Sequence, residues 1–287
     1  MAAESEPEGT IKINSPFINL ERLPHLTDYL PTLKTYTNPL QHNPFFRPSD
    51  GFYVTPTDIV LRHIVYDISS SSSSPSPHLA YLRAGPRKQI FFDLTDSTRA
   101  AIVNCGGLCP GLNTVIRELV VGLWDLYGLR HIYGIQAGYR GFYSTDLAPL
   151  QLNPKMVHGW HKTGGTLLQT SRGGFHLQNI VDAIQRYGFN QVYIIGGDGS
   201  MRGAVKIFDE IRLPANATDN AYCTLLAHSA IHGIMAGYTG FVCGPINGNY
   251  AYIPLEEVAQ AKNEVDTRDH KWAWVRSVTN QPDFEKT

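Results

Sequence analysis

Two glycine-rich loops carry the residues whose types and spacing could do chemistry. The first, Asn104-Cys105-Gly106-Gly107-Leu108-Cys109-Pro110-Gly111, separates an apolar run at residues 100–103 from a helix-like pattern that starts near Asn113. Strand, glycine loop and helix N-terminus, in that order, bring bare backbone N–H groups close to phosphate oxygens, and the helix dipole favours the negative charge. The second loop, Gly196-Gly197-Asp198-Gly199-Ser200, follows the apolar run at residues 192–195. It adds a carboxylate, which a magnesium–phosphate site requires. Two such loops in one chain predict nucleotide chemistry.

The elements that must position these loops are legible from Arg99 onward. Residues 100–103 read as a buried strand. Val115, Ile116, Leu119, Val120 and Leu123 give the stripe of an amphipathic helix. A strand is predicted at 131–135, a helix at 177–187 with Ile180 and Ile184 facing the core, a strand at 191–195 and a helix at 200–211. This alternation predicts an α/β fold, a three-layer doubly wound parallel sheet with helices on both faces and ligands at the carboxyl ends of its strands. Tyr222, Leu226, Ala230 and Ile234 then recur every four residues, a helical stripe that ends at Gly237. Short strand-like pieces at 240–243 and 250–253 and a final helix-like segment follow. Residues 1–95 read instead as an irregular N-terminal extension, because Pro31, Pro39, Pro44, Pro48 and Pro56 prevent long helices. Its aromatic residues, Tyr36, Phe45, Phe46 and Tyr53 among them, are expected to pack on a neighbouring surface. Ser69 to Ser74 reads as an exposed, flexible insertion. Residues 96–287 then hold the nucleotide-binding lobe.

Composition narrows the function classes. With 24 basic and 25 acidic residues the formal net charge is −1, and no basic stripe points to nucleic acid. No run of about 18 apolar residues predicts a membrane span. The first nine residues carry Glu4, Glu6 and Glu8 and no arginine, unlike a secretory or transit segment. Cys105, Cys109, Cys223 and Cys243 form neither a zinc spacing nor a paired framework; Cys105 and Cys109, flanking the first loop, read as small packing residues, and reduced thiols fit a cytoplasmic protein.

Taken together, four motifs are more specific than either loop. Gly106-Gly107-Leu108-Cys109-Pro110-Gly111-Leu112-Asn113 comes first and Gly138-Tyr139-Arg140-Gly141 second. Lys162-Thr163-Gly164-Gly165-Thr166 with Thr170-Ser171-Arg172-Gly173-Gly174 is third, and residues 196–200 are the fourth. In this order they resemble the ATP half of a 6-phosphofructokinase, specifically the plant ATP-dependent form. Pro24-His25-Leu26-Thr27-Asp28-Tyr29-Leu30-Pro31 and Arg83-Ala84-Gly85-Pro86-Arg87 are similar to the N-terminal extension of that group. The run from Asn220 to Phe241 is similar to its C-terminal region. The resemblance implies a glycolytic kinase of fructose 6-phosphate with ATP and magnesium as cofactors. Gly107 would approach a phosphate, Arg172 and Gly173 would border the nucleotide, and Tyr139 would lie near adenine. Gly197, Asp198, Gly199 and Ser200 would wrap the phosphates, with Asp198 reaching the metal. Glycine at position 199 marks ATP users, where an aspartate marks pyrophosphate users.

The departure from that family is equally specific. Past Ile211-Arg212 the family continues to a Pro-Lys-Thr-Ile-Asp-Asn-Asp motif whose first aspartate is the catalytic base, and later to the residues that hold the sugar phosphate. Here the chain passes from Arg212 to Leu213-Pro214-Ala215-Asn216-Ala217-Thr218-Asp219-Asn220, which is similar to a segment well beyond those motifs. Asp219 reads as a helix cap rather than as the base. An internal stretch of domain size is expected to be missing at a junction near 212–213, taking most of the second lobe. No catalytic residue can be named, and fructose 6-phosphate is expected only where the site is completed elsewhere. Two alternatives stand beside this reading: a nucleotide-binding regulatory subunit that joins full-length phosphofructokinase subunits, and a truncated splice or gene-model product.

Overall fold

Apolar strands bounded by glycine loops set the frame of the molecule. The computed structural model describes residues 18–30, 32–42, 52–62, 78–94, 97–211 and 220–260. The strands in chain order are β1 (Ile18–Leu20), β2 (Tyr36–Thr37), β3 (Ile59–Leu61), β4 (His78–Arg83), β5 (Gln89–Ile90), β6 (Arg99–Asn104), β7 (His131–Ile135), β8 (Leu150–Leu152), β9 (Gln191–Ile195), β10 (Phe241–Ile246) and β11 (Asn249–Pro254). The helices are α1 (Leu112–Val121), α2 (Pro154–Val157), α3 (Leu177–Tyr187), α4 (Asp198–Ile211), α5 (Asn220–Met235) and α6 (Leu255–Gln260). None is long and apolar enough to cross a membrane among the described residues.

The sheet that carries both glycine loops has the order β8-β7-β6-β9. β6 pairs in parallel with β7 and with β9, and only β8 runs antiparallel, along the outer edge of β7. Alternation along β6 divides its side chains between two cores. Ala100 and Ile102 join Tyr193 and Ile195 of β9 beneath Val115, Ile116 and Leu119 of α1 and Leu226, Ile231 and Ile234 of α5. Ala101 and Val103 join Val192 and Ile194 beneath Ile180 and Ile184 of α3 and Met201, Ala204 and Ile207 of α4. A strand buried on both faces reads as a continuous apolar run, which is why this one was legible. Each fully buried aliphatic side chain contributes roughly 1.5–3 kcal/mol. The expected α/β architecture of three layers is present: α1 and α5, the sheet, then α3 and α4.

Topology places the crevice. The chain leaves β6 through α1 to β7 on one side, then returns through α3 to β9 on the other side of β6. At that reversal the loops leaving β6 and β9 turn to opposite faces of the sheet, and a cleft opens at the carboxyl ends of the two strands. Both glycine loops sit there.

The N-terminal segment differs from expectation. Where described, it is not an irregular leader: β1, β3 and β4 belong to a second, five-stranded sheet of order β1-β4-β11-β10, with β3 added on β4. The C-terminal hairpin supplies β10 and β11, so Ala251 pairs with Arg83 and Tyr252 with Leu82 across most of the chain length. His25 locks this arrangement: its Nε2 lies 2.9 Å from Ala236 O, and Leu26 N donates to Gly237 O at 2.8 Å. β1 and β3, of three residues each, are too short to show a period of two, and β4 meets a hairpin far away in sequence. The junction at 212–213, the cap at Asp219 and the serine run lie outside the described residues.

Candidate nucleotide site

α4 begins at Asp198, two residues earlier than the periodicity suggested. That shift matters, because it puts Asp198 and Gly199 in the first turn, ahead of any intrahelical acceptor for their amides. Ser200 N and Met201 N close the turn on Gly197 O at 2.8 and 3.0 Å. The loop leaving β6 is joined to it directly. Cys105 N donates to Ile195 O at 2.7 Å, and Ser200 Oγ donates to Cys105 O at 3.2 Å. This approach requires the absence of a side chain at position 196, where a Cβ would overlap Ser200 and stand 2.6 Å from Cys105 O. Gly111, with φ 88°, then turns the chain into α1 through backbone space that favours glycine.

A third loop, from the 170–175 region, completes the wall. Gly106 N donates to Ser171 O at 3.1 Å and Thr170 Oγ1 donates to Gly106 O at 2.9 Å. Ser171 Oγ in turn donates to Ala137 O at 2.8 Å, which ties in the turn carrying Tyr139. The loops enclose a cavity of about 420 Å³ lined by Cys105, Gly106, Gly107, Tyr139, Ser171, Arg172, Gly173, Phe175, Gly197, Asp198, Gly199 and Ser200. That volume is in the range of small-molecule sites. All eight residues singled out from the sequence (Gly107, Tyr139, Arg172, Gly173, Gly197, Asp198, Gly199 and Ser200) line this one cavity.

The electrostatics suit a polyphosphate. Arg172 and Asp198 are exposed at the mouth. The Arg172 guanidinium lies over the first loop, with Nη2 3.3 Å from where a Cβ of Gly107 would stand. Nothing stands within 4 Å of a Cβ placed at Gly197 or Gly199, so the space above the helix N-terminus is open. Cys105 is buried, and burial pushes its thiol up to about 12. Burial likewise raises the Tyr139 hydroxyl above its ordinary range. Neither side chain ionises near neutrality, so neither offers a base there.

Some expectations about individual residues shift. Tyr139 lines the cavity but is only 5% exposed, and its hydroxyl donates to Ser200 O at 2.7 Å. Phe175 was missed; its ring meets Tyr139 edge-on at 5.1 Å and forms part of the wall. Its position beside Gly173-Gly174 was the available signal. Lys162 to Thr166 does not line the cavity. Instead the buried Asn113 holds that segment to the start of α1, donating to Thr163 O and accepting from Leu167 N, each at 2.8 Å.

No group of three or more His, Cys, Asp or Glu side chains converges as a metal site among the described residues. A magnesium ion fits nevertheless, because it is commonly held by one or two carboxylates together with substrate phosphates rather than by a protein cage. Asp198, exposed at the head of α4, has that character.

Comparison with known proteins bears on the same residues. A family model described as phosphofructokinase matches residues 99–224, which include every residue lining the cavity. ATP-dependent 6-phosphofructokinase 2 of Arabidopsis thaliana is 41% identical, with 93% of this chain and 98% of that protein covered. ATP-dependent 6-phosphofructokinase 7 of the same plant is 31% identical, covering 92% of this chain and 89% of that protein. The ATP-dependent 6-phosphofructokinase of Borreliella burgdorferi is 46% identical over 130 residues, 45% of this chain and 29% of that one. The first of these alignments runs over 444 residues against a chain of 287, so at least 157 of its positions stand opposite gaps in this chain. A gap total of that size matches a whole domain. With a relative so similar along nearly its entire length, the chain belongs to the phosphofructokinase family, among the plant-type ATP-dependent 6-phosphofructokinases.

Proposed function

We propose that this chain binds Mg·ATP in the cleft at the carboxyl ends of β6 and β9, and that alone it does not pass the γ-phosphoryl group to fructose 6-phosphate. The observation that carries the first part is convergence. Residues from four separate motifs, spread over almost a hundred positions, line one cavity at a helix N-terminus. Backbone amides of the two glycine loops and the Arg172 guanidinium would hold the phosphates. Asp198 would hold magnesium, whose charge offsets that of the phosphate oxygens.

The second part is supported by the missing positions and by the cavity itself. Phosphoryl transfer to an alcohol needs a positioned acceptor and a group that takes its proton. Of the ionisable lining residues, Cys105 and Tyr139 hold their protons, Arg172 is a cation, and Asp198 is assigned to the metal. We place the excised stretch near 212–213, with the sugar site and the base inside it. Loss of the base alone commonly lowers the rate about 10²–10⁴-fold, and loss of acceptor positioning lowers it further.

Calorimetric titration with Mg·ATP tests the binding. Saturable heat is expected from the wild-type chain, with affinity about 10–100-fold weaker in Asp198→Ala. No heat, or the same isotherm for both proteins, contradicts the proposal.

A further inference from the structure

The hydroxyl of Tyr139, a residue that lines the cavity, is committed to the main chain. It donates to Ser200 O at 2.7 Å. The same serine is held from two other directions, through Oγ to Cys105 O at 3.2 Å and through its amide to Gly197 O at 2.8 Å. Both residues are buried, at 5% and 6% exposure. The phenol ring is fixed in turn. Phe175 meets it edge-on at 5.1 Å, and Gly203 admits it against α4, where a Cβ would stand 3.0 Å from both Cε2 and the hydroxyl oxygen. A buried hydroxyl donates where a partner stands ready, and losing such a bond releases whatever it held.

We infer that Tyr139 is a positioning residue for the phosphate-binding turn. Its hydroxyl straps the first turn of α4 to the turn that follows β7, and so sets the direction in which the amides and the carboxylate of residues 197–199 face. This rests on the nucleotide-binding reading above, and it moves Tyr139 from a neighbour of the base to a strut beneath the phosphates. Displacements of about 1 Å at such a turn are enough to weaken the contacts it makes.

Tyr139→Phe keeps the ring and its packing and removes only the hydroxyl. Two measurements on the folded chain decide the matter. In hydrogen–deuterium exchange without nucleotide, the amides of residues 200–203 are expected to exchange about tenfold faster in the variant, while those of α3 are unchanged. In calorimetry, affinity for Mg·ATP and for magnesium tripolyphosphate, which has phosphates and no base, is expected to fall by equal factors of about ten. Unchanged exchange at 200–203 overturns the inference. So does a loss confined to Mg·ATP, which would put Tyr139 at the base. A wild-type chain that takes up neither probe instead refutes the nucleotide reading, and the exchange rates alone then decide whether the strap exists.

Discussion

At the scale of single residues, the cleft separates exposed polar groups from buried ones. Arg172 and Asp198 are exposed at its mouth, while Cys105 and Tyr139 are buried and held neutral. Arg172 is therefore expected to act through charge and through the fork of its donors. Arg172→Ala should weaken Mg·ATP binding about 10–100-fold. Arg172→Lys should recover only part of that loss, because an ammonium is a point charge without two parallel donors. Calorimetry on the two variants checks this, and full recovery by lysine would reduce the role of Arg172 to charge alone. Gly196 is a second point of leverage. A methyl there overlaps Ser200 and presses on Cys105 O, so Gly196→Ala should separate the two glycine loops and abolish binding while the far face of the sheet stays folded. Near-native circular dichroism with no ATP heat is the expected result.

At the scale of elements, α5 shows how a helix mostly buried over residues 226–235 constrains titration. His232 on α5 lies within hydrogen-bonding distance of the Tyr127 hydroxyl, at 2.6 Å, with His228 and Arg87 adding unfavourable positive charge. Desolvation first, then those charges, lowers its pKa from 6.5 to about 3. His228 is also lowered by burial, offset in part by Glu118 of α1, whose Oε2 lies 3.8 Å away. The unfolded chain thus binds protons near pH 6.5 that the folded chain refuses. The stability contributed by neutral His232 is present above that value and is lost progressively as the pH falls toward 3. Thermal midpoints measured from pH 7 to pH 4 should fall, and the slope should be shallower in His232→Gln. Equal slopes would mean that protonation of His232 is not what acid exploits. The same elements show why parts of the fold were legible. β7, α3 and β9 coincide with the residues expected from periodicity, because each is long enough to display its period against a buried face. β1, β3 and β4 were not: β1 and β3 are three residues each and pair only with β4, and β4 is placed by a hairpin far along the chain. The cleft was legible because four glycine-bearing motifs stand in one order along the chain, two of them directly after apolar strands. The Tyr139–Ser200 hydrogen bond was not, since no spacing in sequence encodes where a phenol hydroxyl points.

At the scale of the whole molecule, the proposed nucleotide cleft sits in a chain at least 157 positions shorter than its alignment with a relative 41% identical to it. Leu108, in the first glycine loop, is 64% exposed and Leu225, near the start of α5, is 52% exposed. Exposed apolar side chains of this kind, with any surface the missing lobe would have covered, are expected to bind an environment-sensitive dye and to promote self-association visible in light scattering. A clean monomer without dye signal would argue against an excised lobe. The central claim is that the donor half of the kinase persists without its acceptor half, and one coupled assay tests it. The purified chain is given saturating fructose 6-phosphate, ATP and magnesium, with host phosphofructokinase excluded, and fructose 1,6-bisphosphate is measured. No bisphosphate above background is expected, whether or not ATP is slowly hydrolysed. Turnover of about 1–100 s⁻¹ that disappears in Asp198→Ala would contradict it, and would mean that this chain positions the sugar and accepts its proton with residues of its own.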